Sequence, residues 1–240
     1  MTDDLLPPGV RVYAVGDIHG RSDLLDLLLV RIGDDQAADP APAPVVVFLG
    51  DYIDRGMDSA GVIDRLAGEP VPGMAARFVL GNHEEFLLRF LAGESNWYSW
   101  LDNGAMTTME SYGVDLQGWP YTFPEPEKAR DDLAAAMPAA HRAFFEGLET
   151  HVRIGGYFLV HAGVRPGVPL EDQAVHDLLW IREEFLRSDA DFGAVVVHGH
   201  TPTPRVVSRA NRIGVDTGAY ASNVLTCVVL EGHKRRFLNT

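Results

Sequence analysis

The stretch Gly50-Asp51-Tyr52-Ile53-Asp54-Arg55-Gly56 constrains this chain more than any other. It follows the aliphatic run 45–49, which is typical of a strand buried on both faces, so we expect a loop at the end of that strand. Two carboxylates and one guanidinium at the mouth of a buried strand are costly unless something binds them. A metal ion would use the carboxylates, and an anionic substrate would use the arginine.

Four further polar turns also follow strand-like runs and contain glycine. They are Gly16-Asp17-Ile18-His19-Gly20, Gly81-Asn82-His83-Glu84, His161-Ala162-Gly163 and His198-Gly199-His200-Thr201. Glycine lets the backbone turn sharply and come close to a bound ion or phosphate. Because sites in α/β sheets form at the carboxyl ends of strands, the five turns together predict one functional site.

The first third of the chain alternates strand and helix patterns, and the second half is rich in strands. Strands are predicted at 10–15, 45–49 and 77–80, with helices at 22–32, 59–66 and 84–91. Later strands are predicted at 152–154, 157–160, 195–197, 206–208, 212–215, 224–230 and 235–238, with a helix at 173–186. We therefore expect an α/β (α+β) fold, a two-sheet β-sandwich flanked by helices.

Residues 1–240 are predicted to form a single domain with a helical insertion at about 93–149. Helices are expected at 96–112, 129–137 and 139–148, and residues 113–126 are expected to be irregular. The insertion carries none of the charged turns, so we expect it to cover or flank the site. Elsewhere, Ser22 is predicted to cap the first helix, residues 36–44 to form a surface loop, and the apolar face to hold Leu24, Leu25, Leu27, Leu28 and Ile32.

Composition excludes several classes of function. The net charge of −14 and the pI of about 4.9 argue against a nucleic-acid or anionic-membrane partner. Cys227 is the only cysteine and is expected to be buried in a strand, so an intramolecular disulfide and a thiolate metal site are excluded. The first residues lack a signal-peptide pattern, and no apolar run reaches the ~18 residues of a membrane span. A cytoplasmic location is the resulting expectation.

The residue types in the five turns indicate a metal site. Aspartate, asparagine and histidine offer oxygen and nitrogen donors that suit Mn, Fe or Zn, and they do not form an all-oxygen calcium cage. Enough donors are present for two ions, and two ions about 3.5–4 Å apart are used in phosphate-ester hydrolysis. The remaining histidines are expected to be ordinary core or surface residues: His141, His151, His176 and His233.

In this order, the five motifs resemble those of the calcineurin-like metallophosphoesterases. Asp54 together with Arg55 is similar to the phosphoprotein phosphatase branch, and Trp180-Ile181-Arg182-Glu183 resembles a segment of its bacterial and bacteriophage serine/threonine phosphatases. Gly214-Val215-Asp216-Thr217-Gly218-Ala219 resembles a late motif of the same branch. The resemblance covers about residues 12–220 and is weak in the insertion.

The resemblance implies roles for individual residues. The metal ligands would be Asp17 and His19 on one ion, Asp51 between both, and Asn82, His161 and His200 on the other. His83 would be the general acid, held by Asp54, and Arg55 and Arg182 would grip the phosphate oxygens. His198 matches no ligand in the pattern and is an accessory candidate only. The cofactors would be two divalent ions, with Mn²⁺ expected ahead of Fe or Zn.

The implied activity is hydrolysis of phosphoserine and phosphothreonine, by attack of a metal-bridging hydroxide, on a phosphorylated protein or a small phosphate ester. The alternative is phosphoanhydride hydrolysis, as in the related symmetric diadenosine tetraphosphatases. Those enzymes usually lack the acid that matches Asp54, so its presence favours the first activity. A third hypothesis is an inactive phosphate-binding scaffold. The sequence leaves the natural substrate and the oligomeric state open.

Overall fold

Two five-stranded sheets form the centre of the computed structural model, which describes residues 5–94, 96–116 and 125–240. In chain order the strands are β1 (Val10–Val15), β2 (Ala43–Phe48), β3 (Ala75–Phe78), β4 (His151–Ile154), β5 (Tyr157–Val160), β6 (Val195–His198), β7 (Val207–Ser208), β8 (Arg212–Gly214), β9 (Thr226–Glu231) and β10 (Lys234–Asn239). The first sheet has the order β10-β9-β1-β2-β3, and the second has the order β4-β5-β6-β8-β7.

The strands that precede the polar turns run parallel within each sheet. Strand β2 pairs in parallel with β1 and β3, and β6 pairs in parallel with β5 and β8. The remaining strands, β4, β7, β9 and β10, make only antiparallel pairs. Because parallel strands end at the same edge of a sheet, the turns after β1, β2 and β3 are neighbours, and so are the turns after β5, β6 and β8.

Side chains of the first sheet alternate between two apolar layers. Val12 and Ala14 of β1 lie in the core between the sheets, together with Leu159 of β5. Tyr13 and Val15, one position along, lie in the core on the outer face of the same sheet. A strand buried on both faces has no polar alternation, which explains the aliphatic runs of the sequence.

Helices cover the outer faces of both sheets. They are α1 (Ser22–Ala38), α2 (Ser59–Leu66), α3 (Asn82–Leu91), α4 (Trp97–Leu101), α5 (Ala105–Ser111), α6 (Pro126–Ala136), α7 (Ala139–Glu146), α8 (Val175–Trp180), α9 (Glu183–Leu186) and α10 (Ala219–Ser222). Residues of α1 to α7 share the core outside the first sheet, and Leu178 of α8 and Phe185 of α9 share the core outside the second. The predicted α/β (α+β) architecture of two sheets flanked by helices is confirmed.

The first helix differs from its prediction in three ways. It continues to Ala38 and ends before Pro40, so residues 36–38 are helical rather than part of a loop. Ser22 lies inside the helix, where its hydroxyl donates a hydrogen bond to Asp58 instead of capping the helix. Leu27, which was expected on the apolar face, is 54% exposed.

Two predicted helices are broken. The helix expected at 96–112 divides into α4 and α5 at Gly104, whose φ of 105° a helix cannot contain. The helix expected at 173–186 divides into α8 and α9 at Ile181 and Arg182, which have extended or irregular backbone angles. Part of the stretch expected to be irregular, 117–124, lies outside the described residues, and Pro126 begins α6.

The remaining element ends differ from their predictions by a few residues, as helix and strand ends commonly do. Cys227 is buried in β9, as expected. Within the described residues, none of the helices has the length and apolar character needed to span a bilayer.

Candidate dinuclear metal centre

The turns that follow the parallel strands of both sheets meet at one site. The backbone N–H of His200, after β6, donates to the carboxylate of Asp17, after β1, at 3.0 and 3.1 Å. Gly199 permits this approach, because a Cβ atom there would overlap Oδ1 of Asp17. The structure therefore brings the motifs of the two halves of the chain into direct contact.

The buried carboxylate of Glu84 holds the loop after β2 in place. Its Oε2 accepts the backbone N–H groups of Asp51 at 2.9 Å and Gly81 at 3.1 Å. Its Oε1 accepts those of Tyr52 at 2.8 Å and Ile53 at 3.3 Å. Burial and the nearby Asp51 raise the pKa of Glu84 to about 8, while these backbone donors favour its charged form. Glu84 thus holds the turn that carries Asp51.

Five site residues adopt left-handed backbone angles, which are uncommon for residues other than glycine. The φ values are 48° at His19, 53° at Asp51, 70° at Asp54, 68° at Arg55 and 64° at His200. Such conformations cost free energy and persist only where surrounding contacts impose them. Their concentration here marks the site independently of any motif.

Four acceptor-bearing side chains surround one point between the sheets. Oδ1 of Asn82 lies 2.9 Å from Nε2 of His161 and 2.9 Å from Nδ1 of His200. Those two imidazole nitrogens are 3.1 Å apart, and Oδ1 of Asp51 is 3.3 Å from Nε2 of His161. His161 donates its Nδ1–H to the backbone oxygen of Leu49 at 2.9 Å, which leaves Nε2 as an acceptor. A divalent cation is the partner that suits such a set of lone pairs.

A second group of ligand atoms shares Asp51. His19, Asp51 and His83 each place one such atom within 4.8 Å of the others. Oδ2 of Asp51 is 3.4 Å from Nε2 of His19 and 3.8 Å from Nε2 of His83. His19 donates its Nδ1–H to the backbone oxygen of Ile53 at 2.8 Å, so Nε2 is its acceptor. The two oxygens of Asp51 face different groups, so one carboxylate can serve both.

Three carboxylates are buried together at this site. Burial, Asp216 and Asp51 raise the pKa of Asp17 well above its usual value, and burial raises the pKa of Asp216 to about 6. Carboxylates that oppose one another's ionisation in this way are stabilised by a nearby cation. Asp17 is not a member of either close group in the described part of the chain, so its role as a ligand stays a prediction.

The histidines of the site are poised in the neutral form that binds metals. Burial lowers the pKa of His19 to about 3 and that of His200 to about 2, and it lowers the pKa of His161. In His200 the nitrogen that faces Asn82 and His161 is Nδ1. Together with the buried carboxylates, this donor set fits two divalent ions.

His83 belongs to the second group of ligand atoms, and Asp54 contacts its other ring nitrogen. Its Nδ1 is 2.6 Å from Oδ2 of Asp54, and its Nε2 is 3.2 Å from Nη2 of Arg55. Burial acts to lower the pKa of His83, but Asp51 and Asp54 outweigh it, so the pKa is raised. A histidine held in this way can donate a proton from Nε2.

Arg55 and Arg182, from the two halves of the chain, lie beside the two groups of ligand atoms. The guanidinium of Arg55 lies over the ring of Tyr220, with Cζ 4.8 Å from the ring centroid. Arg182 is exposed, and its Nη1 donates to the backbone oxygen of His200 and to Oγ1 of Thr201, both at 3.2 Å. Both predicted phosphate-binding arginines therefore reach the site.

His198 is not part of the metal groups. Its Nδ1 lies 3.1 Å from the backbone oxygen of Gly199, and its Nε2 accepts from Nη1 of Arg212 at 3.2 Å. Burial lowers the pKa of His198 to about 3. The ring is an internal support of the second sheet, which agrees with its lack of a ligand role in the motif.

The sequence patterns assign no role to several residues of the site. Glu84 and Asp216 lie within two of the motifs, but their residue types alone indicate no function. Tyr220 was not singled out, although it follows directly on the glycine-containing motif 214–219. Trp100 and Thr108 of the insertion, which contact the carboxylate of Asp54, gave no signal that distinguishes them from core residues.

Two relatives are similar to this chain over most of its length. A bis(5'-nucleosyl)-tetraphosphatase PrpE [asymmetrical] from Oceanobacillus iheyensis is 27% identical over 236 residues, covering 90% of this chain and 87% of the relative. The serine/threonine-protein phosphatase 1 of Salmonella typhimurium is 29% identical over 219 residues, covering 90% and 89%.

A solved structure and a family model agree with these relatives. The structure of a protein provisionally assigned as a diadenosine tetraphosphatase superposes with a TM-score of 0.65 at 20% identity, covering 99% of this chain and 98% of that one. This likeness concerns the fold. The family model for the calcineurin-like phosphoesterases matches residues 10–233. The chain therefore belongs to the calcineurin-like phosphoesterase family.

Proposed function

We propose that this phosphoesterase hydrolyses a phosphoanhydride bond of a bis(5′-nucleosyl) tetraphosphate. The observation that carries the proposal is an exposed aromatic ring beside a phosphate-binding arginine. Tyr220 is 39% exposed, and its ring lies against the guanidinium of Arg55 and 5.5 Å from the ring of His19. A nucleotide bound through its phosphates at Arg55 finds a face on which a base or sugar can pack. The Oceanobacillus relative, whose name carries this activity, supports the same substrate class.

The residues present fit the metal ions that the family implies. Asn82, His161, His200 and Asp51 would hold one ion, and Asp51, His19 and Asp17 would hold the other. Mn²⁺ suits these oxygen and nitrogen donors, and Fe or Zn suits them as well. When bound, such ions lower the pKa of water and neutralise charge on phosphate oxygens.

The chain's own residues bind the substrate and move a proton. Arg55 and Arg182 offer planar guanidinium groups that pair with phosphate oxygens. In hydrolysis a new P–O bond forms from water while the bridging P–O bond breaks. Nε2 of His83 is placed to give a proton to the leaving oxygen, with Asp54 fixing the ring through Nδ1. Substrate would replace the contact between Arg55 and His83 that the structure shows.

Metal-stripped protein reloaded with Mn, Fe or Zn tests the proposal. Incubation with bis(5′-adenosyl) tetraphosphate, followed by chromatography of the nucleotides, should show metal-dependent release of ATP and AMP or of two ADP molecules. The product pair identifies which anhydride bond is cut. Failure to cleave this dinucleotide in any metal form, with phosphate released from other esters, would refute the substrate class.

A second candidate is a phosphomonoesterase that acts on phosphoserine and phosphothreonine. The 2.6 Å contact between His83 and Asp54 favours it, because an alkoxide leaving group needs a proton much more than a phosphate leaving group does. The name of the Salmonella relative points the same way. Release of phosphate from a phosphoserine peptide, measured beside dinucleotide cleavage with the same enzyme, decides between the two activities.

A further inference from the structure

The carboxylate of Asp54 is surrounded by three donors. Its Oδ2 accepts from Nδ1 of His83 at 2.6 Å and from Nε1 of Trp100 at 2.8 Å. Its Oδ1 accepts from Oγ1 of Thr108 at 2.6 Å. All four side chains are completely buried, so these hydrogen bonds are made without competition from solvent.

The backbone of Asp54 is held by the same region. Its N–H lies 2.9 Å from Oγ1 of Thr108 and 3.1 Å from Oγ of Ser59. Those two hydroxyls are themselves 3.0 Å apart. Thr108 therefore contacts both the main chain and the side chain of Asp54, and it fixes the residue at its unusual φ of 70°.

A glycine in the insertion allows both donors to reach this point. Trp100 lies on α4 and Thr108 on α5, and the turn at Gly104 separates the two helices. A Cβ atom at Gly104 would lie 2.9 Å from the backbone nitrogen of Arg55, so the turn packs directly on the loop 50–56. The break that divides the predicted helix is what brings the insertion onto Asp54.

We infer that Trp100 and Thr108 are positioning residues for the proton donor. Neither touches the metal groups, but together they leave the carboxylate of Asp54 one orientation. That orientation aims Nε2 of His83 at Asp51 and Arg55, where the phosphate would bind. The helical insertion thus takes part in the leaving-group step through Asp54. The inference rests on the proposed phosphoester or phosphoanhydride hydrolysis, but not on which natural substrate is cleaved.

The competing explanation is that both residues are ordinary core. Trp100 also packs on Phe90, with ring centroids 5.3 Å apart. Trp97 provides a matched control, because it lies on the same helix, is buried and stacks on the same Phe90 at 4.8 Å. Its Nε1 has no hydrogen-bond partner among the residues described. A purely packing role would make Trp97 and Trp100 equivalent.

The test uses Thr108→Val and Trp100→Phe, which remove one donor each, against Thr108→Ser and Trp97→Phe. Phenyl phosphate and p-nitrophenyl phosphate serve as substrates, because only the first has a leaving group that needs a proton strongly. Thr108→Val and Trp100→Phe should lower kcat for phenyl phosphate about tenfold more than for p-nitrophenyl phosphate. KM and the metal content should stay close to those of the wild type. The two controls should leave the ratio of the two rates unchanged.

A spectroscopic readout accompanies the kinetics. The Nδ1 proton of His83 should give a downfield NMR signal, assigned by its loss in His83→Asn, that moves in Thr108→Val and Trp100→Phe only. An unchanged ratio of rates in those two variants would overturn the inference. If the wild-type protein hydrolyses neither ester nor the dinucleotide, the proposed function fails. The NMR signal then still decides whether the two side chains hold His83.

Discussion

The polar turns and the helical insertion both contain buried histidines, but the two regions use them differently. Nε2 of His161, in a turn, faces the acceptor atoms of Asn82 and His200. His141, in α7, has both nitrogens occupied, with Asp64 2.9 Å from Nε2 and Tyr112 2.8 Å from Nδ1. One ring keeps a lone pair for a cation, whereas the other ties the insertion to α2. Burial alone therefore does not distinguish a candidate ligand from a structural histidine, but the partners of the second nitrogen do.

Asp51 gives the strongest test of the role of the turns. Asp51→Asn should lose both metals and lower turnover by at least about a thousandfold, because one carboxylate faces both groups. Elemental analysis and steady-state kinetics measure the two effects. Asp102→Asn, an exposed substitution in the insertion, is the control and should change neither. Normal metal content in Asp51→Asn would remove the bridging role.

A substitution of His83 tests whether this residue is a metal ligand or a proton donor. Its Nε2 is close enough to Asp51 to be a ligand, yet its contact with Asp54 suits a proton donor. His83→Asn should keep both metals and lower turnover of an alkyl phosphate about a hundredfold. Turnover of a phosphate ester with a good leaving group should fall less. Loss of one metal in this variant would make His83 a ligand instead.

A substitution of Glu84 tests how much its hydrogen bonds to the turns stabilise the fold. Glu84→Gln puts an amide N–H where a carboxylate oxygen accepts backbone donors, and it should lower the free energy of unfolding by about 3 kcal/mol. Urea denaturation measures this difference. The exposed Glu110→Gln on α5 should stay within about 0.5 kcal/mol of the wild type. Equal stability of the two variants would show that Glu84 does not hold the turn that carries Asp51.

His141 tests the structural role of the insertion. His141→Leu leaves Tyr112 and Asp64 without their shared partner and should cost about 2 kcal/mol of folding stability. The metal content measured by elemental analysis should be unchanged. A fall in metal content would show that the two regions are not as separate as their histidine contacts indicate.

Tyr220 gives the smallest expected effect. Tyr220→Ala should raise KM for bis(5′-adenosyl) tetraphosphate about fivefold, since an aromatic face contributes about 1 kcal/mol to stacking. KM for p-nitrophenyl phosphate should change little. Phe237→Ala, a ring of similar exposure on β10, is the control. Equal effects on both substrates would separate Tyr220 from nucleoside binding.

The candidate site residues that lie in the polar turns were predictable from the sequence. The aliphatic runs predicted β1, β2, β5 and β6, and the turns after them contain the side chains that the structure brings together. Carboxylates and imidazoles beside glycine at strand ends have few structural uses, so their types indicated a metal site. The roles of these side chains in binding metal or phosphate and in proton transfer stay predictions.

The hydrogen bonds that core residues make to Asp54 were not predictable in the same way. Trp100 and Thr108 occupy positions where a buried indole or hydroxyl is common, and nothing local indicates that Asp54 receives their hydrogen bonds. The turn at Gly104 packs against Arg55, which is a contact between residues distant in sequence. Asp54 also illustrates the limit for function, because relatives with either named activity match almost the whole chain.

The hydrogen bond from His200 to Asp17 joins residues 183 positions apart. Asn82, Asp51, His161 and His200, which would hold one ion, lie in turns of both sheets, so this group is formed only when the two sheets have docked. Asp17 and Asp51 both follow strands of the first sheet, and Asp216, after β8 of the second sheet, joins them only in the step in which the sheets dock. Metal captured at that step would slow the separation of the sheets, and the cofactor would act as a kinetic lock on the native state.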